Sequence, residues 1–239
     1  MTGLTYSTYV QQISTLAVVS ATDPNFTIII PSMIDYAELR IQRDLDFLST
    51  QVSNTNYSFT SGNNTLTIPT ATFVTLQTLE VIDGSGLSSP LLPVTKEYIQ
   101  NVYGSGSASG LPQYFAVYGG DANTAGLTNQ NIIVGPIPSS NFQAKLTGTI
   151  RSQPLSATNT ATFISTYLPD LFIMASMIYI SAYQRNFGRL NDDTQMAQTY
   201  ESQYQALKAG ALIEENRKKF EAAAWTSYSP APAATPMRG

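Results

Sequence analysis

Few residues in this chain have the type and spacing to do chemistry. The sequence has no His and no Cys. A Ser-His-Asp triad, a Cys nucleophile, a disulfide and a Cys/His zinc site are therefore all excluded. Three carboxylate pairs remain. Asp35 and Glu38 share a helix face at i,i+3, while Asp44/Asp46 and Asp192/Asp193 are close in sequence. Glycoside hydrolysis needs two carboxyls ~5–9 Å apart, one of them raised in pKa by an apolar pocket. The plainer expectation for each pair is, in order, a surface face, ion-pair partners and a helix N-terminus, where Asp192-Asp193 would complement the dipole. The acidic residues are scattered and form no EF-hand loop, so no metal site is expected. No cofactor is expected either. The glycine-rich run Gly104–Gly110 lacks the Lys and Ser/Thr of a phosphate loop and leads into Leu111-Pro112-Gln113, which favours a flexible connection. Arg217-Lys218-Lys219 is the one basic cluster, and it is interleaved with Glu214, Glu215 and Glu221. With a net charge of −4 this reads as a solvated helix face rather than a phosphate-binding stripe.

The elements that would position these residues follow from periodicity. Tyr6, Tyr9, Val10, Ile13, Leu16 and Ala17 have helical spacing. Asp23-Pro24 restarts a helix, and Pro31 marks a second restart. After it, Ile34, Ala37, Ile41, Leu45 and Leu48 form one stripe, with Arg40–Asp44 and Arg43–Asp46 at pairing distance on the wet side. From residue 49 the period becomes two. Strands are predicted at 55–60, 65–69 and 73–81, with Ser61-Gly62-Asn63-Asn64 as a hairpin turn between the first two. A short helix is predicted within 94–103, and further strands at 113–118, 131–134 and 142–151. Asp121 to Gln130 reads as a polar loop.

The helical period returns after Leu155. A turn of helix is expected within 158–167. Pro169-Asp170 opens a helix, Leu171 to Tyr183, that is apolar nearly all round and should be central. It is shorter than the ~20 residues of a membrane span. Arg185 to Asn191 reads as a polar corner. Asp192-Asp193 then starts a long helix with Met196, Tyr200, Tyr204, Leu207 and Ala211 on one face, ending in the four-apart pairs Glu214–Lys218, Glu215–Lys219 and Arg217–Glu221. The N-terminal Met-Thr-Gly-Leu-Thr-Tyr lacks the basic and apolar runs of a secretory signal.

This order predicts an α+β fold. Residues 1–50 and 155–225 form a helical bundle, 51–154 an inserted antiparallel β-sandwich or barrel-like module, and 226–239 an extended Pro/Ala-rich tail. Charged residues are 12% of the chain, about half the ~25% of a soluble domain. The shortage is local: no charge falls between Asp46 and Glu80, or between Glu97 and Asp121. Interface cores are depleted in charge and enriched in Tyr, so this β surface is expected to lie against other proteins.

Several phrases resemble one family. Phe26-x-x-x-Ile30-Pro31-x-Met33-Ile34-x-x-Ala37-Glu38-x-Arg40-Ile41-x-Arg43-Asp44-Leu45 is similar to the opening helix of tailed-phage head-to-tail adaptor, or neck, proteins. Gly110-Leu-Pro112-Gln-Tyr114-Phe115, Ile132-Ile-Val-Gly-Pro136-Ile-Pro138, Tyr167-Leu-Pro169-Asp170-Leu171 and Tyr200-x-x-x-Tyr204-x-x-x-Lys208 follow in the same order. The resemblance implies a non-enzymatic virion protein of the neck, assembled in the host cytoplasm. It implies a ring of about twelve copies, with the portal protein and tail or nozzle proteins as partners and genomic DNA passing through unread. Membranes are not among the implied partners. The C-terminal region would reach the portal, with Arg217, Lys218, Lys219, Phe220, Trp225 and Tyr228 as interface residues. The competing expectation is a receptor- or glycan-binding β module with Tyr114, Phe115 and Tyr118 as its aromatic platform. An enzyme using Asp35 and Glu38 is the third.

Overall fold

The computed structural model describes residues 3–69, 73–104, 108–119, 129–184 and 193–222. The expected Asp121–Gln130 loop, the 185–191 corner, Asp192 and the 226–239 tail fall wholly or mostly outside them. Among these residues the chain forms an α+β fold of six α-helices and ten short strands. It divides into two units. One takes in the described residues of Met1–Leu48 and Pro154–Gly239, the other Ser49–Gln153.

In the first unit, helix α1 (Tyr6–Leu16) starts at Thr5, whose hydroxyl accepts the Thr8 N–H while Thr8 caps the Thr5 N–H in return. Helix α2 (Pro24–Asp44) starts at Asp23, whose carboxylate accepts the N–H groups of Asn25 and Phe26 at 2.9 and 3.0 Å. Helix α2 runs unbroken through Pro31, against the expectation of a restart. Pro31 and Thr27 both lie on the exposed side. The Thr27 carbonyl that loses its partner to the proline can therefore be hydrated. The buried stripe Phe26, Ile30, Met33, Ile34, Ala37 and Ile41 continues past Pro31 on the opposite face.

Helices α4 (Phe163–Tyr167), α5 (Pro169–Gln184) and α6 (Asp193–Ala222) complete this unit. As its uniform apolarity requires, α5 is central: Leu171, Phe172, Ile173, Ala175, Met177 and Ile180 are buried in the same cluster as the stripes of α1 and α2. The Tyr9 ring stacks on Phe172 at 4.6 Å, and its hydroxyl lies 2.6 Å from Ser176 Oγ. Ser176 in turn donates to the Phe172 carbonyl, so both buried hydroxyls are satisfied. From α6, Tyr204 and Ala211 enter the cluster, with Tyr200 and Leu207 against it. Met196, expected on that face, lies outside the described side chains.

The second unit holds two open four-stranded sheets. One has the order β1 (Gln51–Phe59), β10 (Phe142–Thr149), β3 (Thr75–Ile82), β4 (Ser88–Pro90). The other has β2 (Thr65–Pro69), β8 (Asn129–Gly135), β7 (Tyr114–Tyr118), β5 (Leu92–Pro93). Both bury side chains in one core: Phe59, Leu79, Val81, Ala144 and Leu146 from the first, Leu66, Ile68, Phe115, Ile132 and Val134 from the second. The alternation of β10 is as predicted, with Ala144, Leu146 and Gly148 inward. Two short pairings, β5 with β7 and β6 (Ser109–Gly110) with β9 (Ile137–Pro138), are parallel. The strands are therefore not uniformly antiparallel, and the sheets do not close into a barrel.

The turn at Ser61-Gly62 forms, with Gly62 at φ 77°, but β1 and β2 do not pair as a hairpin. β1 pairs with β10 and β2 with β8, so the turn carries the chain from one sheet to the other. The corner is fixed by distant partners: Gly62 N–H donates to the Pro138 carbonyl at 2.9 Å and Ser61 N–H to Asn141 Oδ1 at 2.9 Å. Helix α3 (Lys96–Tyr103), capped by Thr95, covers the other face of β7 and β8 through Ile99, Ala116 and Ile133.

Candidate interaction surface

The polar chemistry of the helical unit ties elements together. Arg40 Nη2 donates to both carboxylate oxygens of Glu201 at 2.6 and 2.8 Å, in place of the expected pair with Asp44. Its guanidinium holds the Glu201 carboxyl below the usual range. Asp44 instead accepts the Tyr204 hydroxyl at 2.8 Å and lies 3.5 Å from Lys208. Asp46 takes Lys219, and Glu215 accepts the Leu48 N–H at 3.2 Å. Residues 40, 44 and 48 meet 201, 204 and 215 in turn, so α6 runs in the same sense as α2. The expected pairs Arg40–Asp44 and Arg43–Asp46 yield to bridges from Arg40, Asp44 and Asp46 to α6, which fix the register of two long elements and are partly desolvated.

The expected interface residues separate on this frame. Lys218 binds Glu214 at 2.7 Å and Glu215 at 2.8 Å, and Lys219 binds Asp46 rather than Glu215. Both lysines thus act within the unit, and Glu215 is buried. Arg217 makes no ion pair with Glu221, and Phe220 is 56% exposed. Trp225 and Tyr228 lie outside the described residues. The structure adds Ile213, one face with Arg217 and Phe220, and its neighbour Leu212; both are exposed. The signal was present in the sequence: with Ala211 on the core face, the next two positions lie ~100° and ~200° around a helix of 3.6 residues per turn.

A second exposed apolar region lies at the α1–α2 corner, where Val18 and Ile28 are about three-quarters exposed, at 74% and 76%. Val18 has φ 54°, a left-handed conformation that costs a β-branched residue ~1–2 kcal/mol. It occupies the helix-ending position normally given to glycine, with Val19 N–H reaching back to the Ser14 carbonyl. Val18→Gly should therefore raise stability by about 1 kcal/mol in urea denaturation. An unchanged or lowered midpoint would show that the strain is absent.

Asp35 and Glu38, neighbours on α2, differ sharply in burial. Asp35 is exposed, whereas Glu38 is 3% exposed, which corrects its expected surface position. Its carboxylate accepts the Leu155 N–H at 3.3 Å and the Thr162 hydroxyl at 3.1 Å. Desolvation pushes its pKa up to about 7, against the lowering effect of those donors. Glu38 therefore anchors the segment that leads back into the helices. The proposed aromatic platform also separates. Phe115 points into the β core, while Tyr114 and Tyr118 lie on the opposite face, beside α3, where Tyr98 and Tyr103 pack on Tyr114 and Lys96 sits over Tyr118. Among the described residues no cluster of His, Cys, Asp and Glu could hold a metal, and no helix is long and apolar enough to cross a membrane.

The described surface offers exposed apolar contact area along the end of α6 and at the α1–α2 corner. The model of the SU10 adaptor protein family matches residues 4–231, and the chain belongs to that family of phage head-to-tail adaptors. No curated protein matches it. Its role is that of a structural component of a phage virion.

Proposed function

We propose that the protein forms a closed ring of about twelve copies in the virion neck, joining the portal to the tail while DNA passes through the bore unread. The family match from residue 4 to 231 carries this reading. The charge-poor β unit supports it, since Ser53–Thr147 and Thr67–Asn131 hydrogen bonds at 2.7 Å satisfy polar side chains without ions. Such a face can be covered by a neighbour at little desolvation cost. The net charge of −4 disfavours gripping DNA. The ring assembles in the host cytoplasm. Arg217, Phe220, Trp225 and Tyr228 form the portal-facing contact, Lys218 and Lys219 brace the end of α6 beside it through Glu215 and Asp46, and the β unit meets tail proteins.

The test mixes purified protein with its portal and follows assembly by size-exclusion chromatography and electron microscopy. A closed ring on the portal is expected. A chain that stays monomeric and never co-elutes would end the adaptor-ring reading. Removing residues 224–239 should leave circular dichroism and melting unchanged while abolishing portal attachment. Equal assembly by the truncated chain would refute the role of the C-terminal segment.

A further inference from the structure

The two larger sheets of the β unit end in the edge strands β1, β4, β2 and β5, which differ in how they are guarded. β4 and β5 have three and two residues and end in Pro90 and Pro93, which have no N–H to offer a new neighbour. β2 ends in Pro69, and its Thr65 N–H is already taken by Asn63 Oδ1 at 2.9 Å. β1 has nine residues, no proline and no charge.

The outward groups of β1 follow from its pairing. Ile150 N–H donates to the Thr50 carbonyl at 2.9 Å. Hydrogen-bonded pairs alternate along an antiparallel ladder, so Val52 and Asn54 bond to β10 while the N–H and C=O groups of Gln51 and Ser53 point away from it. Among the described residues these outward groups have no backbone partner. The bulge between Asn54 and Tyr57 uses its own groups locally: Asn56 N–H donates to Asn54 Oδ1, and the Thr55 carbonyl accepts from Gln143 Nε2. A straight open edge remains, Gln51 to Asn54.

We infer that this edge receives an extended strand from a different virion protein on the tail side, which joins the sheet beside β1. The inference rests on the ring reading, which selects the occupant. β1 and β2 are joined by the 60–64 corner, and β4 and β5 by Leu91 alone. The open edges thus share one flank and the proline-ended edges the other. In a ring, copies meet head to tail through two different patches. A ladder between the open edges of two copies would join like flanks and stop at a pair. A ladder from an open edge to β4 or β5 of the next copy would meet a proline within two or three residues. The added strand therefore comes from another chain. Its chemistry is set by β1. It needs a stretch without proline as long as Gln51–Asn54, and it meets no charge there. Val52 packs against the core and Ser53 is exposed, so an apolar residue fits opposite the first and a polar one opposite the second.

Hydrogen exchange, read amide by amide in mass spectrometry, tests this on the purified chain, on the ring reconstituted on its portal, and on intact virions. In the first two, the Gln51 and Ser53 amides should exchange roughly tenfold or more faster than those of Val52 and Asn54. In virions they should slow to match them. Protection already present in the purified chain, or in the ring without a tail, would overturn the inference and leave the ring reading standing. Fast exchange in virions would overturn it as well. Failure to form a ring, seen by electron microscopy, would end the ring reading and this inference with it. Ser53→Pro removes an outward N–H at an edge position that tolerates proline. It should leave melting and ring assembly unchanged and cut the capture of purified tails roughly tenfold. Ser53→Ala, which removes only the hydroxyl contact with Thr147, should capture tails like the parent. Ser53→Lys replaces the proline if that variant misfolds. Undiminished tail capture by a folded Ser53→Pro or Ser53→Lys chain would refute strand addition at β1.

Discussion

Raising the pH from 4.5 to 7 should destabilise the helical unit by about 3 kcal/mol, and Glu38→Gln should remove most of that slope. Glu38 is raised from its ordinary value of 4.5 to about 7, and at ~1.36 kcal/mol per pH unit the difference gives that figure. The sign follows from proton counts. Between the two values the folded protein holds a proton on Glu38 that the unfolded chain releases, so stability is full below 4.5 and falls as pH rises towards 7. Burial is the main cause, and the Thr162 hydroxyl and Leu155 N–H oppose it only in part. Exposed Asp35 adds a small repulsion. The other displaced carboxylates act elsewhere on the scale. Glu201, bridged to Arg40, and Glu80, held by Ser88 and Lys145, are lowered and lose their contributions only as pH falls below 4.5. Urea denaturation at closely spaced pH values, followed by helical circular dichroism, reads the slope. A flat profile between 4.5 and 7, or an equal slope in the Gln variant, would show that Glu38 does not titrate there.

Gly148→Ala should cost the β unit about 3 kcal/mol, the upper end for overpacking a filled site. A β-carbon at Gly148 would stand 2.3 Å from the Thr75 carbonyl oxygen and 2.8 Å from Phe73 Cδ1. The nearest obstacle is backbone of the paired strand, which no rotamer change can move. The position lies on β10, flanked by β1 and β3, where the β10–β3 register shifts between Thr147 and Gly148. Relief would require opening that pairing. Comparing the denaturation midpoints of parent and variant by near-ultraviolet circular dichroism gives the cost. A loss below about 1 kcal/mol would mean that the strands part there easily. Gly62, with open space around it, offers the contrast: its constraint is φ, not contact.

How much was legible in the sequence depended on the range of the interaction. The helix start at Asp23 was readable, because a cap uses a side chain two or three residues from the N–H groups it serves. The central place of α5 was legible because a helix apolar on every side can only be buried. The inward set of β10 was legible from strict alternation. Pro31 misled because proline ends helices on average, whereas here it faces solvent and the stripe behind it continues. The Ser61-Gly62 turn misled differently. Turn chemistry sets the direction of the chain, but not whether the two strands leaving it join each other or different sheets.

The candidate surface divides along the same line. Arg217-Lys218-Lys219-Phe220 was visible as a run, but the run could not say that Lys219 reaches Asp46 while Arg217 and Phe220 face outward. Glu38 looked like any carboxylate at i,i+3 to another, yet Leu155 and Thr162, 117 and 124 positions on, hold it in the interior. The sequence by itself determined the α+β order, the low charge of the inserted segment, the exclusion of His and Cys chemistry and the family, since all of these are properties of composition or of short windows. Only the tertiary structure decided which strands pair, which ion pairs form, which carboxylate is sealed and which apolar side chains stay uncovered. Those depend on residues far apart in the chain, 68 positions for the paired Thr65 and Ile133 and 161 for Arg40 and Glu201, whose meeting is set by the competition of whole faces for burial and leaves no local mark.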